Sequence, residues 1–229
     1  VGNVSDDDIR IIAKYLNNLP TGGEQKNEKD HDISPKLAAG ITHGTAYKGT
    51  ENMSIVVMMG ETEGFDATQR NRRMVDMLGE CVQISTTEII REKMGDAYSP
   101  YGGVDYSLEP TPSVSWMFQI QCDPKKAEKV EKAAIKVLKM YAKKGPDAET
   151  LAKAKEQMIK SRETQLQENG AWMNIIYGSY YYNENRDEVI SKYNEWVNSI
   201  TADEIKEAAK KFFDFGHYSV TTLKPENTK

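Results

Sequence analysis

The chain has 229 residues, 38% of them apolar and 28% charged, with a formal net charge of −5 and a pI of about 5.4. That length allows one large domain, or one domain and a fragment of another, and the composition excludes wholesale disorder. No basic stripe interleaved with aromatics points to nucleic acid, and apolar runs such as Ile55 to Met59 fall far short of the roughly 20 residues of a membrane span.

The chain opens Val1-Gly2-Asn3-Val4-Ser5, without an initiator Met or a signal-peptide pattern, and is expected to be part of a longer polypeptide. Ser5 to Leu16 reads as a helix. Ser5 and Asp8 stand at capping-box spacing, and Ile9, Ile12, Ala13 and Leu16 form one apolar stripe. Pro20-Thr21-Gly22-Gly23 ends it. Glu24 to Pro35 is polar, charge-rich and without periodicity, as a linker is. The expected organisation is therefore a strand-and-helix tail over 1–23, a linker over 24–35 and a domain over 36–229.

Ala39 to Lys48 and Asn52 to Met59 read as strands, and Gly60 to Gly64 as a turn. Asp66 is placed to cap a long helix bearing Met74, Val75, Met77, Leu78, Cys81 and Val82. Ser85-Thr86-Thr87-Glu88 resembles a second cap, opening a short helix with Ile89, Ile90 and Met94. Arg91 lies in the last turn of that helix, and Tyr98, seven residues on, opens a strand expected from Ala97 to Leu108. Ser113 to Cys122 alternates cleanly, with Val114, Trp116, Phe118, Ile120 and Cys122 on one face, so its sheet is covered on one side only.

Asp123-Pro124 opens a helix with the stripe Ala127, Val130, Ala134, Val137, Leu138 and Tyr141, stopped by Gly145-Pro146. Asp147 caps the next, carrying Leu151, Ala154, Met158, Arg162 and Leu166. Trp172 to Tyr182 is an aromatic-rich helix, and helices follow over Arg186 to Val197 and Ala202 to Phe213, the last with a Thr201/Glu204 capping box. His217 to Leu223 is a final strand before Pro225. This order predicts an α+β fold, a two-layer sandwich with helices on one face of a largely antiparallel sheet. Cys81 and Cys122 fit neither a disulfide framework nor a zinc cluster and read as buried thiols.

The order of elements and their punctuation resemble one repeat of the pitrilysin/insulinase-type zinc metallopeptidases. The residues that carry the resemblance are Lys48-Gly49-Thr50-Glu51, the stretch Ile90 to Tyr101, Gly145-Pro146-Asp147-Ala148-Glu149-Thr150-Leu151 and Ile200-Thr201-Ala202-Asp203-Glu204-Ile205. Val1 to Pro20 is similar to the end of a preceding repeat. The family's metal motif is His-x-x-Glu-His with a distant Glu. The three histidines, His31, His43 and His217, include no pair at that spacing. The resemblance therefore implies the last, non-zinc domain of a multi-repeat enzyme.

Alone, Arg91 is explained by the helix dipole and Tyr98 by strand preference. The resemblance assigns them to substrate binding: a guanidinium and a phenol can hold peptide carbonyls and the charge that develops on the scissile one. It implies no catalytic residue and no metal ligand in this chain. Zinc would sit in another domain of the parent enzyme. The partners would be a zinc-bearing N-terminal half, on the same or another chain, and a peptide substrate. Similar bacterial enzymes are often exported, which favours the periplasm. The alternative is a non-catalytic scaffold or partner subunit of the same fold. Pro100-Tyr101-Gly102-Gly103 reads as a turn or bulge, the tyrosines 177, 180, 181 and 182 with Trp172 as a core stripe, and the lysines from 125 to 144 as solvated surface.

Overall fold

The computed structural model describes residues 2–19, 39–95 and 97–226. The expected linker over 24–35 and His31 lie outside the described residues. Two compact units are present: Val1–Ile33 with Ser161–Ser191, and Ser34–Lys160 with Lys192–Lys229.

The larger unit is built on a five-stranded sheet of β1 (Ile41–Tyr47), β2 (Ser54–Glu63), β3 (Tyr101–Ser107), β4 (Ser113–Cys122) and β5 (Tyr218–Lys224), in the order β1-β5-β2-β4-β3. β1 runs parallel to β5, and every other pairing is antiparallel. One face is dry. Val56 and Met58 of β2, Trp116, Phe118 and Ile120 of β4 and Val220 of β5 are buried there among helical side chains. Those come from α2 (Gln69–Thr86), α3 (Ala127–Lys144), α7 (Tyr193–Ser199) and α8 (Ala202–Phe212). The stripe of α3 from Ala127 to Tyr141 is buried as its 3.6 periodicity requires. On the other face Met59, Glu61, Tyr101, Asp105 and Gln119 are exposed, so the alternation along β2, β3 and β4 separates core from solvent, whereas the edge strand β1 is exposed throughout. Both cysteines are buried and neither is in a disulfide, and burial pushes the Cys81 thiol up to about 12.

Several local expectations change. Gly60 is not in a turn, because β2 continues to Glu63, which pairs with Ser113. A glycine is tolerated there because the Trp116 indole occupies the place of its Cβ. The cap of α2 is Thr68, whose hydroxyl accepts from the Asn71 N–H at 3.2 Å; Asp66 instead holds the Asn71 side chain. Ser85 to Glu88 does not start a new helix. The Ser85 hydroxyl is buried 2.7 Å from the Tyr141 hydroxyl, and Thr86 donates back to the Val82 carbonyl at 2.7 Å. The helix passes through them and widens into a π-helical segment over Thr87–Lys93. The start of the Ala97 to Leu108 stretch is interrupted, and β3 begins at Tyr101.

α4 (Ala148–Gln165) begins in the larger unit with Asp147 at its N-terminus, as expected. In the smaller unit, α1 (Asp6–Leu16) has the full Ser5/Asp8 capping box, yet Ile9, Ile12 and Leu16 are exposed. α5 (Asn169–Tyr181) carries tyrosines that are not core. Tyr177 stacks on Tyr181 at 5.0 Å, and Tyr180 is 84% exposed. The single helix expected over Arg186 to Val197 is two, α6 (Arg186–Ser191) and α7, broken where the Ser191 hydroxyl turns back onto the Asp187 carbonyl.

Candidate functional site

Arg91 lies in the final turn of the π-helical segment. Ile90 beside it is fully buried and anchors the turn, while Arg91 itself is exposed. Gly95, at φ +62, ends the helix by donating its N–H to the Arg91 carbonyl at 3.1 Å. A π turn carries an extra residue and re-aims the chain beyond it, a feature common at functional sites.

Tyr98 is placed by a second irregularity. Ala97 bridges Cys122, and Tyr101 pairs with Gln119. From 97 to 101 is four residues, whereas from 122 to 119 is three, so the chain entering β3 holds one residue more than its partner. This is a β-bulge. It reverses the alternation: Ala97 packs against the core, while Tyr101, also odd-numbered, stands on the open face. Tyr98 follows Ala97, donates its N–H to the Gln121 carbonyl at 3.1 Å and is 76% exposed.

Gln83 of α2 fixes the bulge. Its Oε1 accepts from the Gly102 N–H at 2.9 Å, and its Nε2 donates to the Pro100 carbonyl at 3.4 Å and the Thr87 hydroxyl at 3.1 Å. Glycines let α2 and the segment after it sit directly on β3. A Cβ at Gly79 would meet the Val104 carbonyl oxygen, and one at Gly102 would meet Phe118 and the Thr86 hydroxyl.

Among the described residues, neither the Arg91 guanidinium nor the Tyr98 hydroxyl makes a hydrogen bond, ion pair or ring contact, to each other or to anything else. Two donors are thus held at a helix end and a strand entry and left open to solvent. Both were named from the sequence. Gln83 was not, because a glutamine on a helix carries no signal that it will grip a neighbouring strand. A polar cluster was missed as well. Arg73 contacts Asp76 at 3.2 Å, donates to the Tyr106 hydroxyl at 3.2 Å and lies over the Tyr193 ring. Burial raises the Asp76 carboxyl, an effect that Arg73 partly offsets.

His43 pairs with Glu131 at 3.0 Å, and His217 with Asp214 at 2.7 Å. No group of His, Cys, Asp and Glu among the described residues has the geometry to hold a metal ion, so they do not fit a catalytic zinc site. No helix among the described residues is long and apolar enough to cross a membrane.

A family model described as the peptidase M16 inactive domain matches residues 1–158. The chain belongs to this family. The M16 inactive domain fold recurs in solved structures. A protease from Helicobacter pylori superposes with a TM-score of 0.78 at 15% identity, covering 98% of this chain and 54% of that one. The periplasmic protease PqqL from Escherichia coli gives 0.73 at 16%, covering 99% and 25%. The peptidase M16 inactive domain from Pseudomonas fluorescens gives 0.72 at 19%, covering 97% and 52%. At these identities the likeness is one of fold, and this M16 domain spans between a quarter and about half of those chains. No curated protein matches it.

Proposed function

We propose that this M16 inactive domain is the C-terminal, non-catalytic portion of a zinc metalloendopeptidase, closing the chamber and binding the peptide substrate through Arg91 and Tyr98. In this reading residues 1–23 end a preceding repeat, 24–35 link it, and 36–229 form the last domain. The observation that carries it is the pair of exposed donors, without partners among the described residues, set by a π turn and a bulge. With no contact of their own among the described residues, the guanidinium and the phenol are available to meet a peptide.

The chemistry follows from the two groups. The guanidinium offers several donors in a fixed plane and the phenol one more, which suits extended peptide carbonyls. Placed near a scissile carbonyl, they would stabilise the charge that develops on its oxygen. Zinc, held by the other half, would activate the attacking water. Because the donors come from a separate domain, closure would complete the site and couple shutting of the chamber to hydrolysis.

The test is hydrolysis of a quenched fluorescent peptide by the zinc-bearing half, with and without this chain. Activity should require the chain and fall about 100-fold or more with the Arg91→Ala/Tyr98→Phe variant, as loss of transition-state donors does. If the two halves associate and no combination is active, the chain is a scaffold subunit instead.

A further inference from the structure

The open face of the sheet carries a shallow concavity of about 220 Å³ that the Arg91–Tyr98 pair does not use. Its walls are Met59 and Glu61 of β2, Ser115 and Met117 of β4, and Tyr101 and Asp105 of β3. The register sets them in two rows. Met59 faces Met117, and Glu61 faces Ser115, which faces Asp105 on its other side. With strands ~4.8 Å apart, the Glu61 and Asp105 backbones stand about 10 Å from each other across the small Ser115 side chain. The Tyr101 phenol lies over Gly103, the residue between Tyr101 and Asp105 on this face, in the space a Cβ would fill. It forms an aromatic wall beside the acidic row.

Neither carboxylate meets a cation among the described residues. Glu61 accepts from the Ser113 hydroxyl at 2.6 Å, and Asp105 from the N–H of Tyr106 at 2.7 Å. Two acids with a hydroxyl between them, next to two thioethers and a phenol, complement one kind of ligand. It has a flexible aliphatic stem ending in a positive charge. The stem lies on methionine and aromatic surface, and the cation sits between the carboxylates with the ring beside it.

We propose that this concavity is a subsite for a lysine or arginine side chain of a bound peptide. The inference rests on the peptide-binding reading above and specifies the substrate class: segments with a basic residue held away from the Arg91–Tyr98 corner.

The experiment compares a fluorescein-labelled heptapeptide bearing one central lysine with the same peptide bearing norleucine, which keeps the stem and lacks the charge. Affinity for the full chain is read by anisotropy, and Met59 and Met117 are followed as ¹³C-methyl resonances. The lysine peptide should bind about fivefold tighter, the scale of two partly exposed ion pairs, and the preference should shrink as salt rises. It should be lost in Glu61→Gln/Asp105→Asn, with norleucine binding unchanged, and the lysine peptide should shift both methyl signals. Equal binding of the two peptides overturns the subsite and leaves peptide binding standing. A preference that survives the double variant also overturns the subsite. Failure of both peptides to bind overturns the subsite together with the peptide-binding reading.

Discussion

The side chain of Gln83 stands in for a missing strand at Gly102. Its Oε1 takes the Gly102 N–H at 2.9 Å on the outermost strand of the sheet, and its amide reaches the Pro100 carbonyl two residues earlier. Helix α2 thereby holds the bulge that presents Tyr98. Gln83→Leu keeps roughly the size and removes both of these bonds and the one to the Thr87 hydroxyl. It should cost about 1–2 kcal/mol in urea unfolding, as an unmet backbone donor does. Amide exchange should quicken over residues 97–103 more than elsewhere; uniform exchange would mean that Gln83 does not hold the bulge.

The two glycines between α2 and β3, Gly79 on the helix and Gly102 on the strand, are not equivalent. At Gly102 an added methyl meets side chains, Phe118 and Thr86, that can shift. At Gly79 it meets the backbone oxygen of Val104, 2.7 Å from the ideal Cβ. Gly102→Ala should destabilise by about 1–3 kcal/mol, and Gly79→Ala by more, because the whole helix must lift. Unfolding midpoints in the reverse order would contradict this packing.

Tyr141 joins α3 to α2 inside the core. Its hydroxyl donates to the Cys81 carbonyl at 2.6 Å and lies 2.7 Å from the Ser85 hydroxyl. Burial raises its pKa, so the phenol stays neutral at ordinary pH. Tyr141→Phe should cost about 1–2 kcal/mol. A double-mutant cycle with Ser85→Ala should show coupling of at least about 0.5 kcal/mol. Additive losses would separate the two hydroxyls energetically.

Asp147 provides a pH-dependent cap. The Thr150 N–H, bound at 2.7 Å, and then the Thr150 side chain hold its carboxyl below the ordinary value of 3.8. A depressed folded-state pKa gives stability that is present above 3.8 and lost as pH falls through the lowered value. Asp147→Ala should cost about 1 kcal/mol at pH 7. The gap between wild type and variant should narrow below the ordinary carboxylate range. A gap that stays constant into strong acid would remove the ionised cap from the account.

The fold was legible where local chemistry and burial agree. The alternation of Ser113 to Cys122 gave β4 to the residue, and the stripe of α3 and the Thr201/Glu204 box placed their helices. It failed where a long-range contact overrides a local signal. Ser85 to Glu88 is a plausible cap until Tyr141, distant in sequence, takes the Ser85 hydroxyl. Gly60 marks a turn until Trp116 fills its face. The tyrosines of α5 looked like core because ring count says nothing about which rings find a partner surface. The sequence names Arg91 and Tyr98 only as candidates, and the irregularities that expose them leave no mark in it. A π turn and a bulge each need one more residue than a regular element, and no residue type marks that excess.

The bulge before β3 has a consequence for which changes the chain can absorb. Side-chain direction there depends on chain length between Ala97 and Tyr101, where one surplus residue inverts the alternation. Replacing Tyr98 changes a single group and leaves its neighbours in place. Deleting one residue, such as Ser99, would bring the two strands into step with Ala97 still opposite Cys122 and Tyr98 still on the open face, and would remove the bend that the surplus residue puts into the chain. Substitutions at this corner are therefore free to vary its chemistry, while its length sets the bend with which the chain enters the sheet.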